Sequence, residues 1–285
     1  MVPPGNFLNY TEDGPVLRPC RPVRCLAGTW LSAGAVQRPC RPFSALRQKW
    51  GDGMTAHPEP LDGGIFVYVD DGCTFGADAL LLAEFARPAV WGTARDRERI
   101  CELGTGCGVI PLSWSARPRH PDAPPVEAVE LDPAAAALSS RSVDGNGLSS
   151  RIRIHRADWT KLPPSFEAGS FDRVVCNPPY FTSGSGRTCL LNGRRLARHE
   201  HGDGFIGLTG CAARLLKNGG RFCFCHRPER LADILACLRQ MHLEPKRLQW
   251  AHHRSDKPPF LFLCEARKNG KPGLEVQPPL FLETR

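Results

Sequence analysis

Two short segments carry residue types that could do chemistry: Glu102-Leu103-Gly104-Thr105-Gly106-Cys107-Gly108 and, further along, Asn177-Pro178-Pro179-Tyr180-Phe181. The second suits a flat nitrogen acceptor. An exocyclic amine on a base, or an amide nitrogen, is a poor nucleophile because its lone pair is delocalised into the ring or carbonyl. If its two N–H groups donate to the Asn177 side-chain oxygen and the Pro178 carbonyl, a tetrahedral nitrogen is favoured and its lone pair points at an electrophile. That is catalysis by alignment and electrostatic preorganisation, with no covalent enzyme intermediate. Pro178 and Pro179 stiffen the turn, so the accepting groups need no ordering at each turnover. Tyr180, and Phe181 beside it, offer rings to a planar substrate; on a nucleobase such stacking is worth about 1–3 kcal/mol. The bland alternative is a Pro-Pro turn leading into a core aromatic. The position directly after the apolar Val174-Val175-Cys176 favours the chemical reading.

The first segment suits a nucleotide-like cofactor. Gly104, Gly106 and Gly108 between a strand and a helix let backbone approach a ligand, since no Cβ intervenes and positive φ is tolerated. Alone, such a turn also fits tight strand–helix packing. Glu130-Leu131-Asp132 ends the next strand, where the Glu130 carboxylate can accept from both ribose hydroxyls. Asp158 and Trp159 close the following strand, placed for an adenine amino group and ring; the alternatives are a solvated strand end for Glu130 and an ordinary core aromatic for Trp159. No Lys-Ser or Lys-Thr follows the glycines, so a P-loop is not indicated. The set suits an adenosine, and S-adenosylmethionine is the natural candidate.

Positioning these groups requires a parallel sheet. After Asp96 the chain alternates strand and helix: strands over 100–103, 126–131, 152–157, 171–176 and 221–225, with helices after Gly108, over 133–143, up to about Lys217 with Gly219-Gly220 as stop, and over 228–241. Strands over 246–251 and 260–266 leave no room for a helix between them, so one runs antiparallel. Upstream, the run 65–69 is ended by Asp70-Asp71-Gly72, and an apolar helix over 79–86 is stopped by Pro88. By analogy of fold, seven strands with a terminal hairpin are similar to a Rossmann-like class I S-adenosylmethionine-dependent methyltransferase rather than a dehydrogenase.

The 285 residues, 41% of them hydrophobic, are enough for one large α/β domain, expected over 54–285 with a short hairpin and helix over about 61–96. No apolar run is long enough for a membrane span and the amino terminus does not read as a signal peptide, so a cytoplasmic protein is expected. Most of the 13 cysteines fall inside apolar elements, as Cys101, Cys176, Cys211, Cys223 and Cys225 do; reduced buried thiols are expected, and no metal site. Residues 1–53 hold seven Lys and Arg against three Asp and Glu, so +4 of the net +8 lies there. With the near-repeat 18–22 and 38–42, this stretch reads as a disordered or non-native extension with translation starting at Met54; a basic RNA-binding arm is the alternative.

With these segments in view, the chain resembles the amino-methyltransferases that carry an Asn-Pro-Pro-Tyr motif and, more narrowly, the bacterial tRNA1(Val) adenine N6-methyltransferase family. The narrower resemblance rests on Phe75-Gly76-Ala77-Asp78-Ala79, similar to that family's Phe-Gly-Thr-Asp-Ala, on the two opening segments, and on Gly184-Ser185-Gly186, Ala197-Arg198-His199-Glu200 and His226-Arg227-Pro228-Glu229-Arg230-Leu231. The resemblance implies methyl transfer to N6 of the adenine beside the anticodon of a valine tRNA. Phe75, Asp78, Glu102, Gly104, Thr105, Gly106, Gly108 and Glu130 would border the cofactor along with Asp158, Trp159 and Asn177. Asn177, Pro178 and Tyr180 would be catalytic, with Pro179 and Phe181 against the substrate. Arg187, Arg194, Arg195 and Arg198 form the candidate phosphate-binding surface, whose alternative is a solvated charged loop. Ala77 stands where the family has Thr. Glutamine methylation in release factors, guanine N2 methylation in ribosomal RNA, DNA adenine methylation and a non-catalytic RNA-binding role are the competing readings. Oligomeric state is not implied.

Overall fold

The computed structural model describes residues 8–11, 14–17, 56–88, 98–115, 124–178 and 203–282. In chain order the elements are β1 (Leu8–Thr11), β2 (Gly14–Leu17), β3 (His57–Pro60), β4 (Phe66–Val69), α1 (Ala77–Phe85), β5 (Ile100–Leu103), α2 (Val109–Ser115), β6 (Val126–Glu130), α3 (Pro133–Gly145), β7 (Ile152–Arg156) and β8 (Phe171–Cys176). They continue with α4 (Asp203–Leu215), β9 (Leu216–His226), α5 (Leu231–Gln240), β10 (Leu243–His252), β11 (Leu261–Lys268) and β12 (Glu275–Phe281).

The seven strands expected from the sequence form the body of the sheet, in the order β7-β6-β5-β8-β9-β11-β10. Pairs from β7 to β9 are parallel, and β11 is antiparallel to both its neighbours. Three further strands extend the β10 edge: β12 lies parallel to β10, β2 meets β12 through Phe281 and Val16, and β1 forms a hairpin with β2. β12 carries Pro278 and Pro279, and its ladder with β10 shifts register there, between Gln249 and Ala251. Proline donates no hydrogen bond, so a strand that contains it tolerates such an irregularity near a sheet edge.

Alternation along the strands divides the core into two layers. Val175, Cys223 and Cys225 pack on one face with α1, α2 and the end of α3, while Val174, Phe222 and Phe224 pack on the other with α4 and α5. Both faces are thus covered, as a mostly parallel sheet requires. The partner of β4 is β3, upstream of it, and Asp70 to Cys73 is a turn leading onward to α1, with the Gly72 amide donating to Asp70 Oδ1 at 2.8 Å. The hairpin is tied to α3 by the Asn146 side chain, which bonds both backbone groups of Phe66, and by Ser142 Oγ, which accepts from the Tyr68 amide at 2.8 Å.

One boundary differs from the sequence reading. α4 ends at Leu215 and β9 starts at Leu216, ahead of the glycines expected to stop the helix. Gly219, with φ of 78°, and Gly220 instead shape an irregularity inside β9, where its ladder with β8 shifts between Phe171 and Arg173. A Cβ on Gly220 would stand 3.0 Å from the Lys217 carbonyl oxygen, so a side chain there would press on the neighbouring backbone. Arg173, 1% exposed, fills the same region: it grips Glu98 with two hydrogen bonds of 2.9 and 3.0 Å, beside Glu265. This buried ion cluster lies at the start of β8, the opposite end of the strand from Asn177.

Candidate active site

The parallel strands β5 to β8 end at one edge, and every described candidate residue on them falls there or in the turns that follow. After β5 the chain turns back on itself: the Gly104 and Thr105 amides donate to the Val129 carbonyl at 2.8 and 3.0 Å, and the Gly108 amide donates to Thr105 O at 2.9 Å. Gly104, Gly106 and Gly108 have φ of 75°, 57° and 84°, the left-handed region that penalises a side chain. At Gly108 space is short as well, since a Cβ would meet that of Ser139 at 3.2 Å. Gly104 lies beside the Trp159 ring, whose Cζ3 would be 3.9 Å from a Cβ there.

Two glutamates anchor this turn from below and beside. Glu102 is 1% exposed and Thr105 Oγ1 donates to its Oε2 at 2.5 Å. Burial pushes the Glu102 carboxyl up to about 8, opposed by the Thr105 hydrogen bond and reinforced by the negative charge of Glu130. Glu130 accepts the Gly106 amide on Oε2 at 2.8 Å and the Asp132 amide on Oε1 at 2.9 Å, tying the end of β6 to the glycine turn. Asp158 accepts from the Thr160 amide and hydroxyl, both at 2.8 Å, and thereby caps the short turn that carries Trp159.

Asn177 is the first residue past β8. Parallel pairing of Cys176 with Phe224 sets it beside Cys225 of β9. The Cys225 thiol donates to Asn177 Oδ1 at 3.2 Å, and Asn177 Nδ2 donates to Asp78 Oδ2 at 3.1 Å. Asp78 reaches it from the first turn of α1, whose N-cap is Gly76; a Cβ at Gly76 would lie 2.6 Å from Asp78 Oδ1. Phe75 is half-buried against the same core layer, and Pro178 is buried.

The structure therefore brings Asp78 and Asn177 together at the end of β8, and Glu102, Thr105, Gly106 and Glu130 together one strand away. Pro179, Tyr180, Phe181, Arg187, Arg194, Arg195 and Arg198 lie outside the described residues. Sequence reasoning grouped Cys225 with the inert core thiols. Its alternation with Cys223 on a strand was legible; its place beside Asn177 depends on the β8–β9 register, which the sequence does not display.

The fold and the glycine turn define a Rossmann-like domain with the architecture of methyltransferases. Residues 67–194 match the family described as "Methyltransferase small domain". The solved structure of a predicted O-methyltransferase, protein Atu636 from Agrobacterium tumefaciens, is similar: 25% sequence identity and a TM-score of 0.52, covering 72% of this chain and 86% of that one. Among curated proteins, the chain is 30% identical over 167 residues to the tRNA1(Val) (adenine(37)-N6)-methyltransferase of Cronobacter sakazakii, covering 55% of this chain and 61% of the relative. It is 31% identical over 170 residues to the protein of that name from Salmonella typhi, covering 59% and 64%. The chain thus spans less than two thirds of the length of these two relatives.

Proposed function

We propose that the protein transfers a methyl group from S-adenosylmethionine to the exocyclic N6 of an adenine in tRNA, in the cytoplasm. The observation that carries this reading is the Asn177 amide, held between Asp78 and Cys225 beside the glycine turn. An ionised carboxylate only accepts hydrogen bonds, so Asp78 selects the rotamer that turns Nδ2 toward it and Oδ1 away. A carbonyl oxygen accepts two hydrogen bonds, so Oδ1 can take an amine N–H of the substrate beside the Cys225 thiol.

The residues at the edge fit the cofactor. The glycine turn offers backbone without side chains, and the Trp159 ring beside Gly104 offers a flat face to an adenine. Each Glu130 oxygen accepts one backbone amide and has capacity for a ribose hydroxyl. Bound there, S-adenosylmethionine would supply an electrophilic methyl group. The protein's part is to orient and to hold protons: Asn177 Oδ1 and the Pro178 carbonyl accept from the N6 amine, and Tyr180 stacks on the base. Arg187, Arg194, Arg195 and Arg198 contact tRNA phosphates in this reading.

The choice of tRNA adenine follows the names of the curated relatives and the Asn-Pro-Pro-Tyr chemistry. Purified full-length protein incubated with methyl-labelled S-adenosylmethionine and unmodified tRNA tests it. Nucleoside mass spectrometry should find N6-methyladenosine. Label in the glutamine of a release factor, with none in tRNA, would overturn the substrate assignment.

A further inference from the structure

Asn177 is held from two sides, and the second side is a thiol that the cofactor and acceptor roles above leave without a task. Cys225 is fully buried, its Sγ lies 3.2 Å from Asn177 Oδ1, and the β8–β9 register fixes the two residues side by side. Across the amide, Asp78 Oδ2 accepts from Nδ2 at 3.1 Å. These contacts make opposite demands on the two ends of the amide. A flipped Asn177 would set its oxygen against a carboxylate and its NH2 against a thiol, which is a weak acceptor.

We propose that Cys225 is a positioning residue: with Asp78 it fixes the Asn177 amide, so that Oδ1 faces the reacting nitrogen at every turnover. The inference rests on the methyl-transfer reading of Asn177. A thiol that merely filled space could be exchanged for any side chain of similar size. A thiol that donates can be replaced only by another donor. Cys225→Val fills the site without a donor, Cys225→Ser keeps a donor, and Cys225→Ala covers the case in which Val does not fold.

The full chain is measured in two ways. In steady-state methylation, Cys225→Val and Cys225→Ala should lower kcat by about 3–10-fold, the effect of one neutral hydrogen bond, with S-adenosylmethionine affinity within about 2-fold of wild type. Cys225→Ser should keep kcat within about 3-fold of wild type. In selectively 15N-asparagine-labelled protein without substrate, the Asn177 side-chain NH2, assigned by its absence in Asn177→Ala, should exchange faster with solvent in the Val and Ala variants than in wild type or Ser. Equal kcat and equal exchange across Val, Ala and Ser would overturn the proposal. If wild type leaves tRNA unmethylated, the substrate assignment fails, and the exchange comparison still decides whether Cys225 holds the amide.

Discussion

Asn177 accepts from a thiol and donates to a carboxylate, so a substitution there removes a group whose orientation the surrounding residues specify. Asn177→Ala should bind S-adenosylmethionine with affinity within a few-fold of wild type yet lose at least about 100-fold in methyl transfer, since in the proposed role the lost acceptor acts mainly in the transition state. Calorimetry and single-turnover kinetics separate the two effects; equal loss of both would contradict the role. Glu102 makes a different prediction. Its folded pKa of about 8 lies above the ordinary value of 4.5, so the folded protein holds an extra proton between these values and stability falls as pH rises through that window. Glu102→Gln removes this slope. In urea titrations at pH 5.5 and 8, the variant should gain on wild type by about 1–3 kcal/mol toward the higher pH. His226, brought down to about 4 mainly by burial, gives the opposite slope, stability being lost as pH falls from 6.5 toward 4, and does so equally in both proteins.

At the scale of elements, the site depends on where α1 starts. The φ of −113° at Gly76 is open to any residue, but a Cβ there would collide with Asp78 at 2.6 Å. Gly76→Ala should leave the helix intact by circular dichroism, push the Asp78 carboxylate off Asn177, and lower kcat by about 3–10-fold; unchanged kcat would contradict the linkage. Much of this level was legible in the sequence. The boundaries of β5 and β8 match the segments 100–103 and 171–176 read as strands, whose apolar residues, Ile100, Cys101 and Leu103 in one and Phe171 and Val174 to Cys176 in the other, outweigh the charged Glu102, Asp172 and Arg173 between them. β12 was not legible, since Pro278 and Pro279 mask a strand held partly by the Gln249 side chain, which donates to the Pro278 carbonyl at 2.9 Å. Gly219 and Gly220 were misread because a glycine pair signals a helix stop and a strand irregularity equally well. Cys225 escaped for a related reason: its role comes from register across two strands, a long-range property that local pattern does not encode.

At the scale of the molecule, the glycine turn, Glu130 and Trp159 lie at the ends of β5, β6 and β7, and β8 carries Asn177 beside β9. The β1–β2 hairpin joins at β12, where Val16 pairs with Phe281, with β10, β11 and β9 between β12 and β8. A chain that begins at Met54 should therefore fold and methylate with kcat within about 2-fold of the full chain. A markedly higher KM for tRNA would instead assign the +4 excess of residues 1–53 a role in binding RNA. Among the described residues no helix is long and apolar enough to cross a membrane. The central claim, that Asn177 presents an adenine of tRNA to a methyl donor, is tested most directly by nucleoside mass spectrometry of tRNA from cells lacking the gene, complemented with wild type or with Asn177→Ala. Loss of N6-methyladenosine that wild type restores and Asn177→Ala does not is the predicted result. Unchanged N6-methyladenosine in the tRNA of the deleted strain would contradict the account.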